Sequence, residues 1–356
     1  MVNTPYPPQR APALARALFR NRLLRRRPLI LMHAVTEACN ARCPYCVFRH
    51  GKRAEAELSL PEIDTLYRDA AALGIRYVHL WGGEPLAHPR IAEIAQLARK
   101  HGLSTGMVTN GLLLPRRAEK VMPHLGRLFI SLDHPTDRHD DFRQTPGLFE
   151  AATRGLRQVR QQWPKIPVVI SYTLFRDNQD ALLPMLELCK SWGARLYINP
   201  MRAAANAEGA AQDMDALEVD NNERIIPWEE QAPIWRDLID LRRRGYPVQN
   251  SLYYMRKIAR TGRPPSYRCH WPKLAMAIDA NGDVVDCQRW DQPMANLRDA
   301  PLAEVWSSER ARQLTGPCGE RCNTCVSPAR VEPSGIWGLQ PAMLSDSIRS
   351  LVLNAR

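Results

Sequence analysis

The sequence lacks an apolar run long enough to cross a membrane, and no secretory signal opens it. A spanning helix needs about 20 consecutive apolar residues, and none of the 356 residues belongs to such a run. The nine cysteines are not scattered evenly, as in a secreted disulfide scaffold, but form two groups with one cysteine between them. These absences predict a cytoplasmic protein, in a reducing compartment, that uses its cysteines as metal ligands.

Acidic residues are absent from the first 30 positions, which contain seven arginines in a chain of net charge +12. Leu14, Leu18, Phe19 and Leu23 add an apolar stripe at helical spacing. The segment is predicted to be a helix that caps the core. The alternatives are a basic amphipathic helix that makes peripheral contact with a membrane or an acidic partner, and an organelle transit peptide. Nucleic acid is disfavoured as a partner, because no basic strand with interleaved aromatic residues accompanies the charge.

The first cysteine group directly follows an apolar run over residues 29–35. Cys39, Cys43 and Cys46 have the spacing C-x3-C-x2-C. Four thiolates would fill the corners of a [4Fe–4S] cube, and three leave one iron open. An open position is where a metal site performs chemistry instead of only holding a fold. The alternative is a zinc knuckle, which needs a fourth ligand, and His50 is the nearby candidate.

Strand-like and helix-like segments alternate from residue 29 to residue 199. Ser59 and Glu62 predict a capping box at the start of the first helix, and Gly74 ends it. Further strands are predicted over residues 75–81, 104–108, 128–132, 168–174 and 195–199, with helices over 89–101, 116–122, 147–162 and 180–192. Such alternation is typical of a parallel sheet built from βαβ units. Where such βαβ units close into a barrel, the chemistry lies at the carboxyl ends of the strands.

The cysteine spacing and Gly82-Gly83-Glu84-Pro85, which follows the second strand, together resemble the radical S-adenosylmethionine (radical SAM) superfamily. The resemblance implies an α/β fold with a partial (β/α)6 barrel. It also implies that SAM binds the open iron of a [4Fe–4S] cluster held by three cysteines. Reduction by a donor such as flavodoxin or ferredoxin would then cleave SAM to methionine and a 5′-deoxyadenosyl radical, which abstracts hydrogen from a substrate.

The same resemblance implies roles for single residues. Cys39, Cys43 and Cys46 would be the catalytic cluster ligands. Two glycines let a backbone approach a ligand closely, and a carboxylate can accept a hydrogen bond from an ammonium group. In the family this segment meets the amino group of SAM, which here assigns that contact to Gly82, Gly83, Glu84 and Pro85.

Four further residues are similar to family positions near SAM. Asn110 lies in a segment that resembles the fourth-strand segment facing the ribose, and Ser131 lies in one that resembles the fifth-strand segment near ribose or substrate. Arg143 matches a position that pairs with the SAM carboxylate, a task suited to guanidinium. Tyr45 would pack against the adenine. The ordinary alternatives are strand-end caps, a surface salt bridge and loop packing.

The second cysteine group resembles the SPASM/twitch extension of radical SAM enzymes. Asn281-Gly282 predicts a hairpin turn whose two residues both have positive φ. The full SPASM pattern has seven cysteines and this chain has five, namely Cys269, Cys287, Cys318, Cys322 and Cys325. The resemblance therefore implies one auxiliary [4Fe–4S] cluster, with Cys318 either replacing another ligand or left free. Zinc is the alternative metal. Cys189, in a helical apolar pattern, is predicted to be a buried structural cysteine.

The predicted organisation has five parts: a basic N-terminal arm (1–28), a radical SAM core (29–205), a linker with helices (206–262), a SPASM/twitch-like domain (263–330) and a C-terminal tail (331–356). The predicted substrate is a small molecule, a lipid or a peptide. One alternative is a maturase of ribosomally made peptides, although the basic arm is too short for a built-in leader-binding domain. The other is a non-catalytic iron–sulfur or zinc protein that binds RNA or a protein partner.

Overall fold

The computed structural model describes residues 27–46, 48, 56–201, 222–263, 265, 267–285, 293–315, 325–338, 340 and 343. Its central feature, within these residues, is a nine-stranded sheet with the strand order β6-β5-β4-β3-β2-β1-β7-β8-β9. The first six strands are mutually parallel. They are β1 (Ile30–Thr36), β2 (Tyr77–Gly82), β3 (Ser104–Thr109), β4 (Arg127–Ser131), β5 (Val168–Leu174) and β6 (Arg195–Pro200).

Helices connect these strands and cover one face of the sheet. They are α1 (Leu60–Leu73), α2 (Ile91–Lys100), α3 (Leu114–Val121), α4 (Arg138–Arg143), α5 (Leu148–Gln162) and α6 (Leu182–Ser191), with 3-10 turns at Pro85–Ala87, Met122–His124 and Arg176–Ala181. The predicted partial (β/α)6 barrel is confirmed. One expectation was wrong: Asn110 follows the third strand and Ser131 ends the fourth, each one strand earlier than the family pattern implied, because only three strands precede Asn110.

The C-terminal part extends the barrel's own sheet. Its elements are α7 (Trp228–Arg243), α8 (Leu252–Thr261), α9 (Trp271–Leu274), β7 (Ala275–Ile278), β8 (Asp283–Val285), β9 (Ala295–Asn296), α10 (Leu302–Ser307), α11 (Glu309–Thr315) and α12 (Pro328–Trp337), with a 3-10 turn at Asn222–Arg224. Strand β7 pairs in parallel with β1, and β8 and β9 follow in antiparallel order. Among the described residues, no helix is long and apolar enough to cross a membrane.

Local sequence signals account for several element ends. The backbone N–H of Ser59 donates to Glu62 Oε2 at 2.7 Å, as a capping box requires. Gly74 ends α1 with φ of 112°, and its N–H bonds to the carbonyls of Ala70 and Ala71. Because only glycine adopts this backbone region without strain, the helix stops where the sequence predicts.

Helix α7 starts earlier than predicted. The shift to Ala, Asp, Asn and Glu without periodicity over residues 203–230 predicts a loop, and the apolar pattern after it predicts a helix over 234–244. In the structure α7 begins at Trp228 and contains Pro233. Packing explains the difference, because Trp235 is fully buried and Gln231 Nε2 donates to the carbonyl of Ile226 at 2.8 Å. The predicted limit at residue 205 lies outside the described residues, and the limit at 330 falls inside α12.

The hairpin between β7 and β8 is present, but its turn differs from the prediction. Of the two turn residues, Gly282 has positive φ (91°) and Asn281 does not. The N–H of Gly282 donates to the carbonyl of Asp279 at 3.2 Å, and the N–H of Asp279 donates to the carbonyl of Asp283 at 3.0 Å. This is a three-residue loop, a type I turn followed by a glycine bulge, so one glycine satisfies the geometry.

Asp279 fixes this turn and carries a testable consequence. Its Oδ1 accepts from the N–H groups of Asn281 and Asp283 at 2.9 and 2.8 Å. Burial raises the pKa of Asp279 to about 6, and the nearby carboxylates of Asp283 and Glu37 add to the effect. A folded-state pKa above the unfolded value means that ionisation costs folding stability. The cost grows as pH rises from about 4 to 6 and remains above that window.

We expect Asp279→Asn to be at least as stable as the wild type at pH 7, because the amide keeps the acceptor oxygen and removes the buried charge. The difference in thermal midpoint between the two should shrink as pH falls from 7 to 5. Asp279→Ala, which loses both hydrogen bonds, should melt below Asp279→Asn at every pH. A midpoint difference that does not change with pH would contradict the assignment.

Inside the barrel, alternate strand residues are half-buried. On β5, Ile170 and Tyr172 are fully buried against the helices, whereas Ser171 and Thr173 retain exposure on the other face. The same alternation along the other strands leaves an open lumen. Its wall, here called the lumen wall, comprises His79, Trp81, Phe129, Ser131, Ser171, Thr173, Tyr197 and Asn199.

Helix α12 joins the two ends of the open barrel. On the β6 side, Glu332 Oε1 accepts from the N–H of Ser251 at 2.6 Å. On the β7 side, the N–H of His270 donates to Ser334 Oγ at 3.0 Å. The hydroxyl of Tyr254 in α8 donates to the carbonyl of Val326, immediately before α12, at 2.7 Å. Helix α12 is thus part of the structure that closes the barrel.

Candidate active site

The first cysteine group lies in a loop, residues 37–46, at the carboxyl end of β1. Cys43 is buried, and Cys39 and Cys46 are partly exposed. The N–H of Cys46 donates to the carbonyl of Cys43 at 3.2 Å, and that of Ala41 donates to Cys39 Sγ at 3.5 Å. Burial raises the pKa of Cys39 to about 12 and also raises the pKa of Cys43 and Cys46. These thiols therefore need a bound cation to become thiolates at neutral pH.

The end of β2 sits directly on this cysteine loop. The N–H of Gly83 donates to the carbonyl of Thr36 at 2.8 Å, and that of Glu84 donates to the carbonyl of Ala38 at 2.9 Å. A Cβ on Gly83 would overlap the carbonyl oxygen of Ala38 and lie 2.5 Å from that of Glu37. The second glycine is therefore required for the loop and the strand end to meet. Gly82 has φ of 128°, and Pro85 begins a buried 3-10 turn.

Glu84 binds the end of β3. Its Oε1 accepts from the hydroxyl of Thr109 at 2.6 Å and from the N–H of Leu86 at 3.0 Å. Its Oε2 accepts from the N–H of Asn110 at 2.7 Å. The residue is 1% exposed, and burial raises its pKa while these hydrogen bonds oppose the rise. A carboxylate has about four acceptor positions, so Glu84 offers a ligand at most one more, on Oε2.

Asn110 links Glu84 and the end of β3 to the cysteine loop. Its Nδ2 donates to Asn40 Oδ1 at 2.8 Å, and Asn40 stands between Cys39 and Cys43. Asn40 Nδ2 is buried and has no hydrogen-bond partner. A buried donor without a partner costs stability, so its presence beside the cysteines indicates a missing acceptor. Asn40 was not among the predicted binding residues, although its position inside the motif was a signal.

Ser131 at the end of β4, Tyr45 in the cysteine loop and Arg143 at the end of α4 approach the same edge of the sheet. Ser131 lies on the lumen wall, paired in register with Ser171. Tyr45 is buried against Phe175, with ring centroids 5.0 Å apart, and its hydroxyl donates to Asp133 Oδ2 at 2.7 Å. Arg143 Nε donates to the same oxygen at 2.7 Å. Arg143 and Asp133 are buried, so the alternative of a surface salt bridge is wrong for Arg143. The packing of Tyr45 agrees with the loop-packing alternative. Asp133, which contacts both residues, was not among the predicted site residues.

The part of the lumen wall that His79 and Phe129 form is uncharged and aromatic. Burial lowers the pKa of His79 to about 4, so this imidazole is uncharged at neutral pH. Its Nδ1 shares a proton with the hydroxyl of Tyr77 at 3.0 Å, and its ring meets Phe129 at 5.3 Å. The opposite part of the wall is polar, with Asn199 Nδ2 donating to Ser171 Oγ at 3.2 Å.

Two cysteines of the second group are described, and both are buried. Cys269 packs with Trp271 and Ala275 at the start of β7. Cys325 precedes α12, and the buried Arg330 directs Nη1 toward its sulfur at 3.6 Å. The other three predicted ligands, Cys287, Cys318 and Cys322, lie outside the described residues.

Cys189 is fully buried in the core, as predicted for a structural cysteine, and burial raises the pKa of its thiol to about 12. Its packing on α6 against the sheet separates it from the lumen.

The residues present fit an iron–sulfur cube with an adjacent ligand. Three thiols share one loop, a buried guanidinium faces one of them, and an orphaned amide donor lies among them. Within the described part of the chain, no three His, Cys, Asp or Glu side chains converge on a single metal ion. His50 lies outside the described residues.

Comparison with known families agrees with this geometry. Residues 34–189 match the model of the radical SAM superfamily. Residues 269–326 match the SPASM model, an iron–sulfur cluster-binding domain. The chain is a radical SAM protein with a SPASM domain. Its cofactors are accordingly SAM, a [4Fe–4S] cluster and auxiliary iron–sulfur binding in the SPASM domain, and the zinc alternative is set aside.

Curated relatives of this radical SAM protein are enzymes with different substrates. The sporulation killing factor maturation protein SkfB of Bacillus subtilis is 25% identical over 290 residues, which cover 81% of this chain and 67% of SkfB. The PqqA peptide cyclase of Gluconobacter oxydans is 24% identical, with 85% and 84% coverage. The AdoMet-dependent heme synthase of Methanosarcina barkeri is 26% identical, with 82% and 88% coverage.

Solved structures share the fold. Streptococcus suis SuiB bound to its precursor peptide SuiA superposes with a TM-score of 0.63 at 14% identity, covering 85% of this chain and 69% of SuiB. Native anSMEcpe with bound AdoMet and the Cp18Cys peptide gives a TM-score of 0.61 at 14% identity, covering 91% of this chain and 98% of that one. At this identity the likeness establishes the architecture of the radical SAM protein and nothing finer.

Proposed function

We propose that Cys39, Cys43 and Cys46 hold the catalytic [4Fe–4S] cluster of this radical SAM enzyme and that the enzyme acts on a peptide. The observation that supports the cluster assignment is the close backbone contact between Gly83 and the cysteine loop. This contact brings the ends of β1 and β2 together. When bound, the cluster and SAM supply a 5′-deoxyadenosyl radical for hydrogen abstraction.

The chain's own residues bind and orient. Backbone groups of Gly82, Gly83 and Pro85 and the remaining acceptor position of Glu84 would receive the amino group of SAM. The Nδ2 group of Asn40, held by Asn110, is a free donor beside the site. Burial of the cysteine loop keeps water from the thiolates.

Three other residues define the space above the cysteine loop. Asn110 and Ser131 stand at neighbouring strand ends, where the ribose of SAM would lie. The Arg143 guanidinium, which uses Nε on Asp133, retains donors for the SAM carboxylate. Tyr45 supports this arrangement from beneath, since its hydroxyl is occupied and its ring is buried. It would therefore position the cysteine loop under the adenine.

A peptide is the favoured substrate because one curated relative is named as a peptide cyclase, another as the maturation protein of a sporulation killing factor, and two solved neighbours hold a peptide. The lumen wall offers aromatic surface from Trp81 and Phe129 and hydroxyls from Ser131 and Ser171. A peptide segment provides both an apolar side chain and backbone polar groups to match such a wall. A small molecule is the second candidate, because a relative of similar identity and coverage is named as a heme synthase.

The auxiliary site is proposed to hold one four-cysteine cluster, bound by Cys269, Cys287, Cys322 and Cys325, with Cys318 as the spare or exchanging ligand. Arg330 would donate to the Cys325 sulfur. An electron donor such as flavodoxin or ferredoxin and a location in the cytoplasm complete the proposal. Peripheral membrane contact would fall on the basic arm, of which residues 1–26 lie outside the described part.

Anaerobic reconstitution followed by iron and sulfide counting tests both clusters. We expect about eight irons per chain, equivalent to two cubes, and 5′-deoxyadenosine when dithionite and SAM are added. Zinc in place of iron, with no cleavage of SAM, would overturn the proposal. For the substrate, a peptide encoded beside the gene and deuterated at its candidate positions should transfer deuterium into 5′-deoxyadenosine. Absence of transfer from every such peptide would reject the peptide assignment while leaving the clusters intact.

A further inference from the structure

We propose that Asp133 is a positioning residue that holds Arg143 against Cys43 and thereby raises the reduction potential of the catalytic cluster. The inference rests on the proposed function, because it takes Cys43 as a cluster ligand. Asp133 does not touch the cysteines. It acts through the Arg143 guanidinium, which lies between the Asp133 carboxylate and Cys43.

Asp133 is held from five directions. Its Oδ2 accepts from the Tyr45 hydroxyl and from Arg143 Nε, both at 2.7 Å. Its Oδ1 accepts from the N–H of Thr173 at 2.8 Å. Its own N–H donates to His139 Nδ1 at 3.0 Å, and its carbonyl accepts from Asn178 Nδ2 at 2.8 Å.

These hydrogen bonds fix the position of the Asp133 carboxylate. The residue has no exposed surface, and the partners come from the cysteine loop, from α4 and from β5 and the turn after it. Burial opposes its ionisation, but Arg143 and the hydrogen bonds outweigh burial and lower its pKa. A carboxylate with a lowered pKa is ionised at neutral pH. Asp133 cannot move without breaking its hydrogen bonds to three separate parts of the chain.

Arg143 is the connection to the cysteine. It is 9% exposed, and its Nη1 lies 3.9 Å from Cys43 Sγ, on the side of the guanidinium away from the oxygen of Asp133. Its Cζ stands 5.9 Å from the centre of the Tyr45 ring. Its planar fork can contact a carboxylate and a sulfur together, which the single ammonium of a lysine cannot do in this geometry.

The backbone of Arg143 is held, because the hydroxyl of Thr145 donates to its carbonyl at 2.8 Å, but this does not determine where the guanidinium lies. Arg143 is the last residue of a six-residue helix, and Gln144, which follows it, has φ of 48°, in the left-handed region that non-glycine residues seldom adopt. Without Asp133, the buried guanidinium would lose its counter-ion and favour rotation toward solvent. The carboxylate therefore determines whether the positive charge stays beside the sulfur.

A positive charge and an N–H donor beside a ligating sulfur stabilise the reduced cluster, because reduction adds negative charge to it. Removing Asp133 should thus act in the same direction as removing the charge of Arg143. If the guanidinium stayed in place without Asp133, the loss of a negative charge would shift the potential in the opposite direction. The sign of the shift distinguishes positioning from simple electrostatics.

The test is an EPR-monitored redox titration of reconstituted full-length protein, without SAM. For Asp133→Asn we expect about a tenfold lower ratio of reduced to oxidised catalytic cluster at a fixed potential, a downward shift of about 59 mV. Arg143→Gln should shift it downward as well, and the double variant should go no lower than Arg143→Gln alone. Asp69→Asn, a change in an exposed pair with Arg68, should leave the potential unchanged.

An unchanged or raised potential in Asp133→Asn would overturn the inference, as would additive shifts in the double variant. If Asp133→Asn does not fold, Asp133→Glu and Arg143→Lys replace it: each keeps its charge but misplaces it, and both should lower the potential. A wild-type reduction potential in both variants would also overturn the inference. A wild-type chain that binds no catalytic cluster would instead reject the proposed function, so the two failures are separable.

Discussion

Replacing Cys43 by alanine is expected to abolish SAM cleavage, with 5′-deoxyadenosine falling more than about a hundredfold below the wild type. Changes that leave the ligands of a metal site intact but disturb their partners already cost about 10–100-fold. Loss of a ligand removes one of three thiolates and leaves Arg143 facing an empty position. The measurement is 5′-deoxyadenosine formed with dithionite and SAM, together with iron content.

Cys189→Ala is the matched control. It also removes one buried thiol, but from the core packed around α6. We expect a stability loss of about 0.5–3 kcal/mol and wild-type cleavage. Equal 5′-deoxyadenosine from the wild type and Cys43→Ala would refute the assignment of the cysteine loop. Cys287→Ala should remove about four of the eight irons and retain some cleavage, since it leaves the first cysteine group untouched.

The second large effect is expected from Gly83→Ala. The new methyl group would overlap the carbonyl of Ala38 and lie 2.5 Å from that of Glu37. Both contacts are backbone atoms, so neither can rotate away. Overpacking of this kind costs about 1–3 kcal/mol, but the functional loss should be larger, because the cysteine loop itself must move. We expect loss of the catalytic cluster's iron and at least about a tenfold fall in SAM cleavage.

Gly102→Ala separates this effect from the general cost of replacing a glycine. Gly102 has φ of 72°, with nothing within 4 Å of the position of a Cβ. Its replacement should cost about 1–2 kcal/mol of backbone strain without altering iron content. Full iron loading and cleavage in Gly83→Ala would show that the cysteine loop does not depend on its contact with β2.

The sequence predicted those parts of the molecule whose causes are local. Ser59, Glu62 and Gly74 determine where α1 begins and ends through contacts within a few residues. The strand alternation likewise predicted the parallel sheet, whereas the partial barrel and the positions of Glu84 and Asn110 at its strand ends came from the family resemblance. Helix α7 was predicted too short because the packing of Trp235 outweighed Pro233 and the polar composition before it.

The connections within the site could not be predicted in the same way. Asp133 meets Tyr45 across 88 positions of the chain and Arg143 across 10. Arg143 in turn meets Cys43 across 100 positions. Each residue type was plausible at its place, but the pairing depends on how far two strand ends and a short helix approach one another. The resemblance assigned Arg143 to the SAM carboxylate. In the structure its Nε donates to the Asp133 carboxylate at 2.7 Å.

The pairing of β7 with β1 also bears on how the protein is made. Strand β1 ends at Thr36 and its outer partner begins at Ala275, so the ribosome must add roughly 240 residues before that edge can be covered. At about 5–20 residues per second this takes roughly 12–50 s. Throughout that interval an apolar strand with the first cysteine group at its end has an open edge, the feature that promotes aggregation. We therefore expect the nascent barrel to need protection of this edge until roughly the last quarter of the chain has been made.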